Sequence, residues 1–243
     1  MGYVDLHSHV LPALDDGVRT LAESLELTSV LGQMGFQVVC ATPHQKVGAF
    51  VPERDAIDRA YASVKAALGE RGVPLQLYLG AENFWDELFL ERAITSAQPT
   101  YTGGKAFLVE ISPRMAPPRL EETLFQIRLS GLLPVLAHPE RYQALWVEKN
   151  APLDRCQALG RTCALVVDLA ALDGAHGRME CTHARRLVEE GLAHAAASDA
   201  HALSDTRSAG AGIAWIRKRC GEAQVTRLLD ENPRRILNGE LPD

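Results

Sequence analysis

Nine side chains in this sequence of 243 residues have the chemistry of metal ligands: His7, His9, Asp16, His44, Glu82, Glu110, His138, Asp199 and His201. They are imidazoles and carboxylates with no thiol among them, a donor set that suits manganese, iron or zinc. Carboxylates of this kind can also bridge neighbouring ions, which makes a multinuclear hydrolase the first reading. In DLHSHVLPALDDG, His7 and His9 are two positions apart and project to one side of an extended strand end, where both can grip one ion. Asp15 and Asp16 follow after a short loop, and Asp16 is the expected ligand; Asp15 reads as a loop cap or as an acceptor behind the ligands. ATPH supplies His44, GAE supplies Glu82, LAHPERY supplies His138, and ASDAH supplies Asp199 and His201. Glu110 lies in the apolar run LVEIS, and an unpaired carboxylate there would cost several kcal/mol, so it needs a metal or, in the blander reading, an arginine partner.

These residues share one site only if the chain brings strand ends together. Short apolar runs at 3–7, 37–42, 75–81, 106–111, 132–137, 163–168 and 192–197 read as strands covered on both faces, because they are continuous rather than alternating. Helical stretches lie near 20–34, 53–69, 86–97, 118–130, 152–160, 179–190, 206–219 and 222–230. Gly35, Gly131, Gly160 and Gly191 are the expected helix stops. Strand followed by helix, seven times over, predicts a closed or nearly closed parallel barrel, and nearly every candidate ligand falls at the C-terminal end of a strand, on the rim where such barrels place their sites. Nothing interrupts the alternation, so residues 1–243 are expected to form one domain.

Hydrophobic residues make up 47% and charged residues 23%, which leaves no case for a disordered or membrane-embedded chain. The net charge of −6 argues against a nonspecific nucleic-acid binder. Cys40, Cys156, Cys163, Cys181 and Cys220 form no CxxC pair, which favours reduced thiols. A cysteine-based phosphatase needs an arginine six positions after its nucleophile, and those positions hold Lys46, Thr162, Leu169, Leu187 and Thr226. A strand beginning at Tyr3 leaves no room for a signal peptide, so the expected compartment is the cytoplasm with no stable membrane insertion. Leu6 stands where a myristoylation motif wants Ser or Thr.

The order HSH, DDG, ATPH, GAE, an internal strand Glu, AHPERY and SDAH resembles the PHP (polymerase and histidinol phosphatase) family over nearly the whole chain. DDG with Glu23 and Ser24, AHPERY, and the closing Asn232-Pro233 are similar to its CpsB/CapC branch, bacterial metal-dependent protein tyrosine phosphatases found with capsule and exopolysaccharide genes. The resemblance implies a distorted seven-stranded TIM-like α/β barrel (the PHP fold) with three divalent ions at the C-terminal rim, manganese first and iron or zinc as alternatives. It puts His7, His9, Glu82 and Asp199 on the first ion, Glu82, Glu110 and His138 on the second, and Asp16, His44 and His201 on the third.

The activity implied is hydrolysis of phosphotyrosine by a metal-activated water. Arg141 is expected to grip the phosphate in a bidentate fork. Arg207 is a further candidate, one residue further along than usual and without the family's usual proline-rich continuation; His44 and His201 are also assigned to catalysis. Asp168 stands where relatives often have Asn, and Gln45 where a second His is common. His176, His183 and His194 match no ligand position and read as structural. The expected partner is a tyrosine-phosphorylated protein, a bacterial tyrosine kinase before others. The competing readings are a small-molecule phosphoesterase acting on histidinol phosphate or a nucleotide, and a noncatalytic metal-binding scaffold.

Overall fold

A computed structural model describes residues 2–95, 97–146 and 153–243. The strands are β1 (Tyr3–Ser8), β2 (Phe36–Ala41), β3 (His44–Gln45), β4 (Gln76–Leu79), β5 (Glu82–Phe84), β6 (Ala106–Glu110), β7 (Leu133–Ala137), β8 (Ala164–Asp168) and β9 (Ala195–Ala197). The helices are α1 (Leu21–Gln33), α2 (Arg54–Glu70), α3 (Glu87–Thr95), α4 (Leu120–Leu129), α5 (Asp154–Gly160), α6 (Leu169–Asp173), α7 (Arg178–Glu189), α8 (Asp205–Cys220), α9 (Glu222–Thr226) and α10 (Asn232–Leu237). Ser96 within the expected helix 86–97, and Pro152 at the start of 152–160, lie outside the described residues.

All strand pairs are parallel, in the orders β1-β2-β4 and β3-β5-β6-β7-β8-β9. The seven expected strands are all present, and two of them, β2 and β4, are each followed beyond the expected end by a short unexpected strand, β3 and β5. Pro43 has no N–H to give to a ladder, so the second strand stops at Ala41 and resumes at His44. The third breaks beside it, yet the Gly80 N–H still donates to Ala41 O (2.8 Å) and the Glu82 N–H to Pro43 O (3.1 Å). On the opposite side the ring is joined beyond the strand ends, where the His9 N–H donates to Ala200 O and the Asp199 N–H to His7 O, both at 2.9 Å. The result is a distorted parallel barrel made of two sheets, with seven strand positions.

Burial on both faces of the strands produces two apolar layers. Val4, Leu6, Val38, Cys40, Leu108, Leu133, Val135 and Val166 fill the barrel interior. Val39, Phe107, Val109, Leu136, Leu165 and Val167 face outward, under the helices. The N-terminal end of the barrel is plugged by α10: Arg234 Nη2 donates to Gly2 O and Asn232 Nδ2 to His194 O, each 2.8 Å, and Ile236 joins the interior layer. Neither α10 nor α6 was expected, being too short to show a period. The expected helix 222–230 is α9 followed by a π-helical turn, Arg227–Glu231.

Gly35, Gly131 and Gly191 end their helices with positive φ (107°, 91° and 69°). Gly160 does not: it is the last residue of α5, with Arg161 as the cap. Its service is close packing, since a Cβ there would come within 3.1 Å of the His194 ring. Among the described residues no helix is long and apolar enough to cross a membrane.

Candidate metal centre

The strand ends bring the nine donors to one rim. His7 is the penultimate residue of β1, His44 opens β3, Glu82 opens β5 and Glu110 ends β6, while His138, Asp199 and His201 lie just past β7 and β9. His138 and Asp199 have φ of +34° and +47°, left-handed conformations that non-glycine residues adopt at a cost, and strain of this kind gathers at functional sites.

Glu82 is the centre of the arrangement. Its Oε2 lies 3.2 Å from His7 Nε2, 3.3 Å from His9 Nε2 and 2.9 Å from His44 Nδ1, and its Oε1 lies 3.0 Å from His138 Nε2. Asp199 Oδ1 stands 3.2 Å from His7 Nε2 and 3.6 Å from His9 Nε2. Nearer solvent, Asp16 Oδ1 is 3.4 Å from both His44 Nε2 and His201 Nε2. Four groups have ligand atoms mutually within 4.8 Å: His9-Asp16-His44-His201, His7-His9-Glu82, His7-His138-Asp199 and His44-Glu82-Glu110.

These residues fit divalent ions. Ligands about 2.1 Å from one ion sit about 3.0–3.4 Å from each other, the spacing seen here. His7 and His9 aim Nε2 at Nε2 across 3.2 Å, and the buried His44 Nδ1, Glu82 Oε2 and Glu110 Oε2 have no hydrogen bond. For His44 and Glu82 the atoms are close but misaligned, so proximity without hydrogen-bond geometry is what an ion between them would explain.

Groups behind the ligands orient them. Asp15 Oδ2 accepts from His9 Nδ1 (2.9 Å) and from the His44 N–H (3.0 Å), leaving His9 Nε2 bare toward the centre. Burial pushes the Asp15 carboxyl up, but His9 and the backbone donors outweigh it and hold the group at about 2. Asp5 braces β1 against the residues after β9 by accepting from the Ser198 N–H (2.9 Å) and hydroxyl (2.5 Å); burial raises it to about 6. His201 Nδ1 lies 2.8 Å from Asp199 O, which turns its Nε2 toward Asp16.

The electrostatics of the cluster favour positive charge on its histidines. Burial works against charge on His7, His9 and His44, but Asp199, Asp15 and Glu82 more than offset it and all three titrate higher than usual. Burial and the nearby Glu82 charge raise Glu110, whose Oε2 lies 3.7 Å from Lys46 Nζ. Lys46, rather than an arginine, is thus the cation beside Glu110, and it also covers the Phe84 ring at 4.1 Å.

Arg141 ends a 3-10 turn, Pro139–Arg141, that follows directly from His138. Its Nη2 donates to Asp199 Oδ2 (2.8 Å) and Asp168 Oδ2 (2.5 Å), while its buried Nε has no partner. Arg141, His176, Asp199, His201 and Ser208 line a cavity of about 310 Å³ at the rim. A larger cavity of about 560 Å³ lies against α2 and α3, lined by Gln45 and Arg92, and holds none of the nine donors. Arg207 is exposed and outside the rim cavity, although Ser204 and Ser208 on either side of it are lining residues. Arg207 is thus not among the residues that line the cavity beside the cluster.

The three histidines expected to be structural part company. His183 stacks on Trp146 (3.9 Å, 1°) and His194 sits at the far end of the barrel, but His176 stands at the rim with Nε2 2.5 Å from Asp168 Oδ2. Asp168 caps the end of β8, accepting from the Ala170 N–H, and also binds Arg141. The signal for His176 was its place in the loop after the sixth strand, on the side where all the ligands lie.

A parallel α/β barrel with a cluster of imidazoles and carboxylates at its C-terminal rim defines the class of TIM-like metal-dependent hydrolases. The chain belongs to the family described as "Capsular polysaccharide synthesis, CpsB/CapC", which it matches over residues 3–238. It is 29% identical to the tyrosine-protein phosphatase CpsB of Streptococcus agalactiae over 242 residues, covering 96% of this chain and 98% of that one. It is 27% identical to the tyrosine-protein phosphatase YwqE of Bacillus subtilis over 241 residues, covering 98% and 92%. Its fold superposes with a TM-score of 0.84 and 26% identity, covering 98% and 95%, on a crystal structure from work on YwqE of Bacillus subtilis and CpsB of Streptococcus pneumoniae, described as unique metal-dependent tyrosine phosphatases.

Proposed function

We propose that this chain is a metal-dependent protein tyrosine phosphatase acting in the control of capsule or exopolysaccharide synthesis. The observation that carries the reading is the convergence of nine imidazole and carboxylate donors on one rim, beside a guanidinium with an unpartnered Nε. We assign His7, His9, Asp16, His44, Glu82, Glu110, His138, Asp199 and His201 as ligands of three divalent ions, manganese before iron or zinc. When bound, the ions supply Lewis-acid charge to the phosphoryl oxygens and activate water at neutral pH.

The protein's own groups do the rest. Arg141 is anchored by Asp168 and Asp199 through Nη2, which leaves its remaining donors to orient a phosphate. Asp15 and Asp5 hold the ligand-bearing loops before substrate arrives. A thiolate route has no support from the cysteines: Cys40, Cys156 and Cys163 are buried, and burial pushes their thiols up, Cys156 to about 12. We further assign the chain to a single domain working in the cytoplasm, with a phosphorylated bacterial tyrosine kinase as its substrate.

The test is manganese-dependent phosphate release from a phosphotyrosine peptide, run beside a phosphoserine peptide, histidinol phosphate and a nucleotide monophosphate, each with a chelator control. Preference for phosphotyrosine is expected. Chelator-sensitive turnover of another ester in its place would move the protein to small-molecule phosphoesterases, and metal binding without turnover would make it a scaffold.

A further inference from the structure

Hydrolysis of a phosphate monoester requires a proton for the departing oxygen, and the residues proposed to bind metal or grip phosphate do not supply one. Five titratable residues line the rim cavity: Arg141, His176, Asp199, His201 and Asp205. Arg141 is permanently charged. Burial opposes charge on Asp199, but His7, His9 and Arg141 hold it well below the ordinary carboxylate range. Asp205 accepts from the His201 and Ala202 N–H groups, both at 2.9 Å, and is the acceptor that shapes that loop. His201 is assigned to metal. His176 remains.

Its placement suits the task. His176 sits between α6 and α7 on a loop bounded by Gly174 (φ +91°) and Gly177 (φ +119°), so the side chain is delivered to the cavity by a turn that only glycines take without strain. The ring is 37% exposed, and its Nε2 faces the buried Asp168 Oδ2 at 2.5 Å. With Nε2 facing that carboxylate, Nδ1 is the ring nitrogen not engaged by Asp168. Arg141 Nη2 lies 2.9 Å from the same Nε2 and 2.8 Å from Asp199 Oδ2. The histidine is therefore next to the guanidinium proposed to hold the phosphate, and the bridging oxygen of a monoester is adjacent to the oxygens so held.

We propose that His176 is the general acid for the leaving group, with Asp168 as its positioning residue; this rests on the tyrosine phosphatase reading above. In the step, the oxygen of water forms a bond to phosphorus while the bond from phosphorus to the phenolic oxygen breaks, its electron pair leaving with that oxygen. His176 Nδ1–H donates its proton to the phenolic oxygen, giving free tyrosine, and the neutral imidazole regains a proton from the one the water loses. One ester and one water give one phenol and one hydrogen phosphate. The groups that face His176 are Asp168 from β8 and Arg141 from the turn after β7, with Asp199 and the buried Glu140 behind them.

The experiment is a leaving-group series on the manganese-loaded wild type and His176→Gln, comparing 4-nitrophenyl phosphate with phenyl phosphate and a phosphotyrosine peptide. A good leaving group needs little protonation and an ordinary phenol, with pKa about 10, needs more. The variant is expected to lose at least ~10-fold more kcat/KM on phenyl phosphate and on the peptide than on the nitrophenyl ester, with bound metal and thermal midpoint retained. Equal losses on all three esters, or no loss, would overturn the inference and reduce His176 to a brace for Asp168. A wild type inactive on every aryl ester would instead overturn the phosphatase reading, and the inference with it.

Discussion

The two ends of the barrel treat the same residue type in opposite ways. At the C-terminal rim, His7, His9 and His44 are buried among carboxylates that raise their affinity for protons. At the N-terminal end, His194 is packed against Gly160, accepts from the Leu165 N–H at 3.0 Å, and is pushed down to about 4 by burial and by Arg227. One end surrounds its histidines with carboxylates that favour their charge; at the other, burial and the neighbouring Arg227 disfavour charge on the histidine. The strands make this division possible, because most carry an apolar interior segment and, at or just past the C-terminal rim, one or two donors, so that stability and chemistry occupy different lengths of the same element.

The sharpest break in that comparison is Glu82→Gln. Glu82 is within 3.3 Å of four histidines, and the substitution keeps its volume while removing the charge that links them. Turnover should fall by ~10³-fold or more, and the thermal stabilisation that manganese gives the wild type should largely disappear, since a ligand stabilises only in proportion to its binding. Wild-type turnover with undiminished metal content would remove Glu82 from the centre.

At the other end, Leu133→Ala opens a cavity at the start of β7, inside the barrel, where the side chain is fully buried. The expected cost is about 2–5 kcal/mol in urea unfolding, with kcat/KM of the folded protein changed by less than ~3-fold. If activity fell in step with stability, the two ends would be coupled and the division drawn above would be wrong.

The rim was more legible in the sequence than the frame that holds it. A carboxylate in LVEIS or a pair of histidines after a strand is costly unless something uses it, so chemistry itself marked Glu110, His7 and His9. Seven strand positions were also readable, because continuous apolar runs are what two-sided burial requires. The breaks at Pro43 and Gly80 were hidden, since a strand that loses a ladder bond keeps its apolar pattern. α6 and α10 were too short to show a period, and Gly160 carried the signature of a stop while serving as a gap for His194. Arg207 and His176 show the limit most clearly: both lie on the rim side of the chain, but only the fold shows that His176 lines the cavity beside Arg141 while Arg207 does not.

The smallest of these effects isolates the N-terminal end by pH. The ordinary histidine value is 6.5 and that of folded His194 is about 4, so as pH falls below 6.5 the unfolded chain takes up a proton that the folded chain refuses. The stability His194 contributes is therefore complete above pH 6.5 and is lost as pH falls from 6.5 to about 4, by up to ~3 kcal/mol. In metal-free protein the raised His7, His9 and His44 slope the other way, because the folded rim binds protons more tightly than the unfolded chain does. Total stability mixes the two ends, but the difference between wild type and His194→Asn contains only one. Asn keeps an acceptor for the Leu165 N–H and cannot titrate, so the gap between the two proteins in urea melts should close or reverse on acidification through that window. A gap that stays constant with pH would mean that His194 takes its proton in the folded state, and that the far end is not closed to charge.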